Sequence, residues 1–196
     1  MKDLNIPLRD IARELARRFS TMSHDELAVL ESILVPMKFA KGEKILNAGE
    51  ISRYIYYVHQ GLVRQYYFKN GKEMTSFLGV DGSVIMSIES LFRETESKET
   101  IEALEPCYIY ALPKKRLEEV ALHNQNIQIL YRKILEEALI DTQIHADLVR
   151  FETAQDRYRR ICKQMQKVVQ RAPLVYIASY LQMTPETLSR VRSSNW

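Results

Sequence analysis

The chain has 196 residues, 46% apolar and 27% charged, with a net charge of +3 and only two cysteines, Cys107 and Cys162. That is the composition of a soluble globular protein, long enough for one large or two small domains. No run is long enough to cross a bilayer, the opening MKDLNIPLRD lacks the basic-then-apolar pattern of a secretion signal, and the cysteines have neither C-x-x-C spacing nor a nearby histidine pair, so membrane, disulfide and metal classes are excluded and the cytoplasm is expected.

Over residues 8–19 the apolar positions Leu8, Ile11, Ala12, Leu15, Ala16 and Phe19 recur at helical spacing with arginines on the other face, which predicts an amphipathic opening helix with a solvated basic side. Ser23 and Glu26 have capping-box spacing and predict a second helix to about Leu34, ended by Pro36. Residues 35–113 are short runs of Val, Ile, Tyr and Phe and hold all six glycines, the texture of an antiparallel jelly roll. Within it, residues 54–60 and 62–68 read as a strand pair joined around Gly61, and Asn70-Gly71 as a hairpin turn into residues 73–80.

After Pro113 the pattern is helical. A short helix over 114–122 is followed by a break at 123–126 and a long helix over 127–149. The long helix has too many apolar positions for one stripe, which predicts two buried faces, one on the roll and the other either within the chain or, the favoured reading, on a second copy of it. Ile127, Leu130, Ile134, Ala138 and Leu148 are the candidates for that seam, with Asp141, Thr142 and His145 as polar residues setting its register. A further helix over 153–170 ends at Arg171-Ala172-Pro173.

The last stretch, IASYLQMTPETLSRVR at 177–192, reads as two short helices joined by a tight turn. Ile177, Ala178 and Leu181 make one apolar stripe and Leu188 with Val191 another. Thr184 is an N-cap residue and Pro185 suits the first helical position, where its missing N–H costs no hydrogen bond. This is helix-turn-helix spacing, in which the start of the second helix enters the DNA major groove. Glu186, Thr187, Ser189 and Arg190 are then the candidate base readers: Arg190 can donate two bonds to guanine and Glu186 can accept from cytosine. Arg192, Thr184 and Tyr180 would hold phosphates. Alone, the stretch also suits an ordinary helical hairpin with a solvated polar face. Charge favours DNA: residues 151–196 carry eight Lys and Arg against three acids, net +5, which leaves −2 for residues 1–150.

With FAKGEKILNAGE at 39–50 and YIYYVHQGLVRQYYFKNGKE at 54–73 added to that terminal motif, the chain resembles the Crp/Fnr family of bacterial transcription regulators, and its ending resembles that of short-tailed, Bacteroidetes-type members. The resemblance implies an α+β protein with a cyclic-nucleotide-binding-like jelly-roll effector domain at 1–113, a connecting and dimerisation helix at 114–150 and a DNA-binding domain at 151–196. The implied partners are double-stranded DNA with a two-fold-symmetric operator, a second copy of the chain, RNA polymerase and a small-molecule effector, with no membrane and no cofactor. Glu186 and Arg190 match the family's base-reading glutamate and second arginine, while its first arginine falls on Pro185.

The departures are as informative. Nucleotide-binding members carry a cassette resembling Gly-Glu-x-x-Leu followed by Arg-Ser or Arg-Thr, whereas MSIESLFRETESKET at 86–100 has Ser87 and Ile88 in place of the glycine and glutamate, Glu89 one place late, and no aligned arginine. Met86, Ser87, Ile88, Glu89, Arg93 and Lys98 line the candidate effector pocket. Without accessible backbone N–H donors and a bidentate arginine, tight cyclic AMP binding is not expected; the pocket takes another small molecule or is filled by its own side chains. The cysteine cluster of iron-sulfur sensors is absent, and the four histidines are too scattered for haem or for a cupin-type metal enzyme. After the second helix only residues 193–196 remain, so either the wing hairpin of winged members is lacking or the C-terminus is truncated. A signalling module that uses the helix-turn-helix for protein contacts is the remaining alternative.

Overall fold

A computed structural model describes residues 6–193. Residues 1–5 and 194–196, the start of MKDLNIPLRD and most of the short tail, lie outside the described residues. Two four-stranded antiparallel sheets form the roll. One has the order β1 (Val35–Phe39), β8 (Cys107–Pro113), β3 (Tyr54–Gln60), β6 (Val84–Ile85); the other has β2 (Lys44–Leu46), β7 (Thr100–Ala103), β4 (Leu62–Lys69), β5 (Lys72–Val80).

The hairpin at Asn70-Gly71 is present: β4 and β5 pair antiparallel, with positive φ at both turn residues (52° and 73°), as a two-residue hairpin loop requires. The strand pair expected around Gly61 is not. β3 pairs with β6 and β8, and β4 with β5 and β7, so the two strands lie in different sheets. A single residue cannot reverse a chain into a hairpin, and Gly61, at φ +132°, carries it from one sheet to the other. A Cβ there would stand 2.4 Å from Cys107 Sγ. β3 is apolar on both sides because both are covered. Ile55 and Tyr57 face the helices, while Tyr56 and Val58 face the core between the sheets.

The helices α1 (Leu8–Phe19) and α2 (His24–Ile33) lie over the roll, burying Ile11, Leu15 and Phe19 of α1 and Leu30 of α2. The capping box forms: Ser23 N–H donates to Glu26 Oε2 at 2.7 Å and Glu26 N–H to Ser23 Oγ at 3.3 Å. Pro36 does not end α2, which stops at Ile33; it sits in β1, an outer strand where its missing N–H breaks no second ladder. The roll also carries α3 (Ile88–Arg93) and α4 (Lys114–Ala121).

The long helix is α5 (Gln125–Phe151). Its two faces are not the expected ones. Ile127, Leu130 and Ile134 are buried against α1, α2 and the roll, and Leu148 is buried in a second core, so these four are already covered by their own chain. The large apolar side chains left open are Phe151 at its end and Leu139, Ile140 and Ile144, the last three in a run (139–144) that is exposed at every position.

The single helix expected over 153–170 is two, α6 (Ala154–Gln164) and α7 (Gln166–Arg171), broken at Met165 (φ −125°, ψ 45°). No glycine or proline marks this break. It places Val168 in the second core and Arg171 against the roll. Then come α8 (Leu174–Tyr180) and α9 (Pro185–Ser193). The second core joins Leu62, Leu78 and Leu104 of the roll to Leu148, Tyr158, Ile161, Ile177, Leu181 and Leu188, so the terminal helices share their apolar interior with the roll.

Candidate nucleic-acid interface and effector cavity

The turn between α8 and α9 uses backbone geometry that no glycine announces. Gln182 adopts φ 51°, and Met183 N–H donates back to Ala178 O at 3.0 Å, closing α8. Thr184 then caps α9, its Oγ1 accepting from Thr187 N–H at 3.2 Å. Leu188, 1% exposed, anchors α9 to the core. Opposite that anchor Pro185, Glu186, Ser189 and Arg190 are exposed. Backbone and Thr184 hydrogen bonds hold the Glu186 carboxyl below its ordinary value, with Arg190 adding to them, so this face presents a carboxylate and a guanidinium one helical turn apart.

Three residues expected at that face have other contacts. Thr187 is half-buried and its hydroxyl lies 3.2 Å from Thr184 Oγ1, within the cap. Arg192 is half-buried and lies close enough to Tyr158 of α6 to act on its hydroxyl. Tyr180 turns inward: its ring stacks on His145 with centroids 4.3 Å apart, and burial raises its hydroxyl to about 12. His145, expected as a register-setter between two copies, binds within the chain, its ring Nε2 2.8 Å from the carbonyl oxygen of Tyr180. As a donor to a carbonyl, that nitrogen must carry the proton. Ala138 is half-buried; Asp141 and Thr142 are exposed, and the Thr142 hydroxyl donates to Ala138 O at 2.8 Å.

The +5 charge of the terminal segment is also partly spent inside the molecule. Arg171 makes an ion pair with Asp81 at 2.8 Å and another with Glu105, and Arg157 donates to Leu181 O at 2.7 Å. Arg64, on β4 and 1% exposed, forms the other tie. Its guanidinium lies 3.8 Å from the ring centroid of Tyr176 on α8 and 4.3 Å from that of Tyr66. Nε donates to Thr75 Oγ1 at 2.9 Å and Nη1 to Glu73 at 2.6 Å. Beside it, Thr75 N–H donates to Ser179 Oγ at 2.8 Å. The helix-turn-helix is thus docked on the β4–β5 hairpin by its first helix, which leaves the second outward. The sequence reading missed Arg64; a lone arginine in an aromatic strand was its only signal.

The expected effector pocket is only partly where 86–100 put it. Met86 and Ser87 are buried, and the Ser87 and Ser97 hydroxyls are 2.9 Å apart. Ile88 and Glu89 are exposed. Arg93 and Lys98 point out to solvent, both toward Glu89 at 3.8 and 3.1 Å, and neither lines the cavity beneath. That cavity, of about 500 Å³, runs between the roll, α5 and the terminal helices, and includes Met86, Ile88 and Glu89 along with Gln65, Ser76, Phe77, Glu99, Asp141, His145, Met165 and Tyr180. Another cleft of about 680 Å³ beside Gly49 and Glu94–Lys98 is open to solvent. Among the described residues no group of three or more His, Cys, Asp or Glu could hold a metal, and no helix is long and apolar enough to cross a membrane.

Comparison with known proteins agrees with this architecture. Residues 36–124 match the cyclic nucleotide-binding domain. The chain superimposes on FixK2 from Bradyrhizobium japonicum with a TM-score of 0.68, at 21% identity over 83% of this chain and 84% of that one. For the catabolite activator protein of Thermus thermophilus the values are 0.56 and 21%, over 92% and 85%. For CLP of Xanthomonas campestris, a c-di-GMP-responsive global regulator, they are 0.64 and 15%, over 88% and 91%. No curated protein sequence matches significantly.

Proposed function

We propose, on the premise that residues 36–124 are a cyclic nucleotide-binding domain set in the fold of the Crp/Fnr regulators, that the protein is a homodimeric, sequence-specific DNA-binding transcription regulator not controlled by cyclic AMP. Residues 1–113 form its effector unit, 114–150 its connection and dimer seam, and 151–196 its DNA-binding unit. The observation that carries the reading is α9 itself: Leu188 roots it in the core while Glu186, Ser189 and Arg190 stand exposed on its outer side. The seam in this reading is the exposed run 139–144, with Leu139, Ile140 and Ile144 as its apolar members, because an apolar helix face this open calls for a partner helix. Two recognition helices would then reach successive major grooves about 34 Å apart.

Cyclic AMP control is disfavoured because, among the described residues, the cavity lining has no lysine or arginine and does have the carboxylates Glu99 and Asp141, which repel a phosphate.

Titration of a palindromic duplex against a scrambled one at several salt concentrations tests the reading. A steep salt dependence and a clear preference for the palindrome are expected. Arg190→Ala should weaken specific binding by about 1–3 kcal/mol and relax one base position. Equal affinity for both duplexes would refute sequence-specific recognition.

A further inference from the structure

We propose that the cavity between the roll, α5 and the terminal helices is a binding site for an apolar organic cation, a primary amine carried on an aromatic or aliphatic body. The walls supply the apolar part: Phe77, Ile85, Ile144, Leu148, Met165 and Tyr180. At about 500 Å³ the space is of the size that small-molecule sites have.

The polar lining sets the charge. Three of its donors are spent within the protein. Ser76 Oγ donates to Glu99 Oε1 at 2.6 Å, Gln65 Nε2 donates to Glu99 Oε2, and the Thr142 hydroxyl donates to Ala138 O. Its acceptors are not. The amide oxygen of Gln65 takes no hydrogen bond among the described residues and is not itself fully buried. Each Glu99 oxygen accepts one bond in the protein and can accept another. Asp141 stands at the mouth. Although open to solvent along one side, it loses enough water to the surrounding walls for its carboxyl to be raised; Glu137 adds to the shift and Arg18 opposes it. A cation entering the cavity is attracted by the Glu99 and Asp141 carboxylates that line it, while an anion is repelled by them. The Gln65 oxygen would receive one N–H of the ammonium group.

The inference concerns the effector cavity of the proposed regulator but needs no DNA, so it and the DNA-binding reading can fail separately. Isothermal titration of the full chain with tryptamine, phenethylamine and octylamine, each set against a carboxylate analogue (indole-3-acetate, phenylacetate, octanoate), and with cyclic AMP, reads the charge preference directly. Saturable binding of at least one amine and of none of the anions is expected. Glu99→Gln and Asp141→Asn should each weaken that amine about tenfold or more. Asp141 is exposed in the single chain but lies in the run proposed as the dimer seam, so a thermal melt and a sizing column establish that its variant keeps its fold and assembly. Binding of any anion as tightly as its amine, no binding by all three amines, or unchanged amine affinity in both variants would overturn the proposal.

Discussion

Replacing Arg64 with alanine removes the largest fully buried side chain at the junction between the roll and the helix-turn-helix. In the native protein the guanidinium is sandwiched by Tyr66 and Tyr176 and hydrogen-bonded to Thr75 and Glu73. Each ring contact is worth about 0.5–2 kcal/mol and each charge-assisted hydrogen bond about 1.5–3 kcal/mol before solvent competition. The Glu73 bond counts for least, because that carboxylate is 41% exposed and regains water when the arginine is gone. What remains is a net loss of about 3 kcal/mol, and Arg64→Lys, which keeps charge without a planar face, should lose roughly half as much. Urea denaturation reads the difference. Combining Arg64→Ala with Tyr176→Leu should show a coupling of about 1 kcal/mol, and amide exchange should rise first over α8 rather than within the roll. A cost below about 1 kcal/mol for Arg64→Ala, or strict additivity with Tyr176→Leu, would refute the clamp.

Asp81 ties the β3–β4 corner to α7, accepting from Gly61 N–H at 2.8 Å and pairing with Arg171 and Lys167. Burial would raise its carboxyl, but Arg171, Gly61 and Lys167 together hold it below the ordinary value. A depressed carboxylate stabilises the fold above the ordinary range, near 4, and that contribution fades as pH falls through the folded value. The stability gap between the native chain and Asp81→Asn should therefore be widest at pH 6 and shrink below about pH 4; a gap independent of pH would contradict this. Gly61→Ala meets both an unfavourable φ and the Cys107 sulfur at 2.4 Å, and should cost about 2–4 kcal/mol in thermal melts. Gly42→Ala, at φ +87° with nothing within 4 Å of the new Cβ, should cost only about 1 kcal/mol. Gln182→Gly should gain about 0.5 kcal/mol by relieving the left-handed conformation at φ 51°, and a lower melting temperature would show that the Gln182 side chain earns its place in the turn.

Local order was legible from residue order alone. The α1 periodicity, the Ser23–Glu26 box, the Asn70-Gly71 turn and the Thr184-Pro185 restart each depend on side chains within a few positions of one another, and each forms as read. Jelly roll and helix-turn-helix follow from such signals taken in sequence. Partnership was not legible in this way. β3 and β4 adjoin in the chain and part into two sheets because one glycine turns a corner instead of a hairpin. Ile127, Leu130, Ile134 and Leu148 show helical periodicity that says they are covered, not by what; the chain's own two cores cover them and leave 139–144 bare. The cavity's charge was equally hidden. Gln65, Glu99 and Asp141 come from two strand regions and a helix, and they line one cavity only once packing has brought those elements together. Spacing along the chain determines which elements form, because their hydrogen bonds and caps are local; which surfaces meet is decided by the global burial of apolar area, and no short window of sequence contains it.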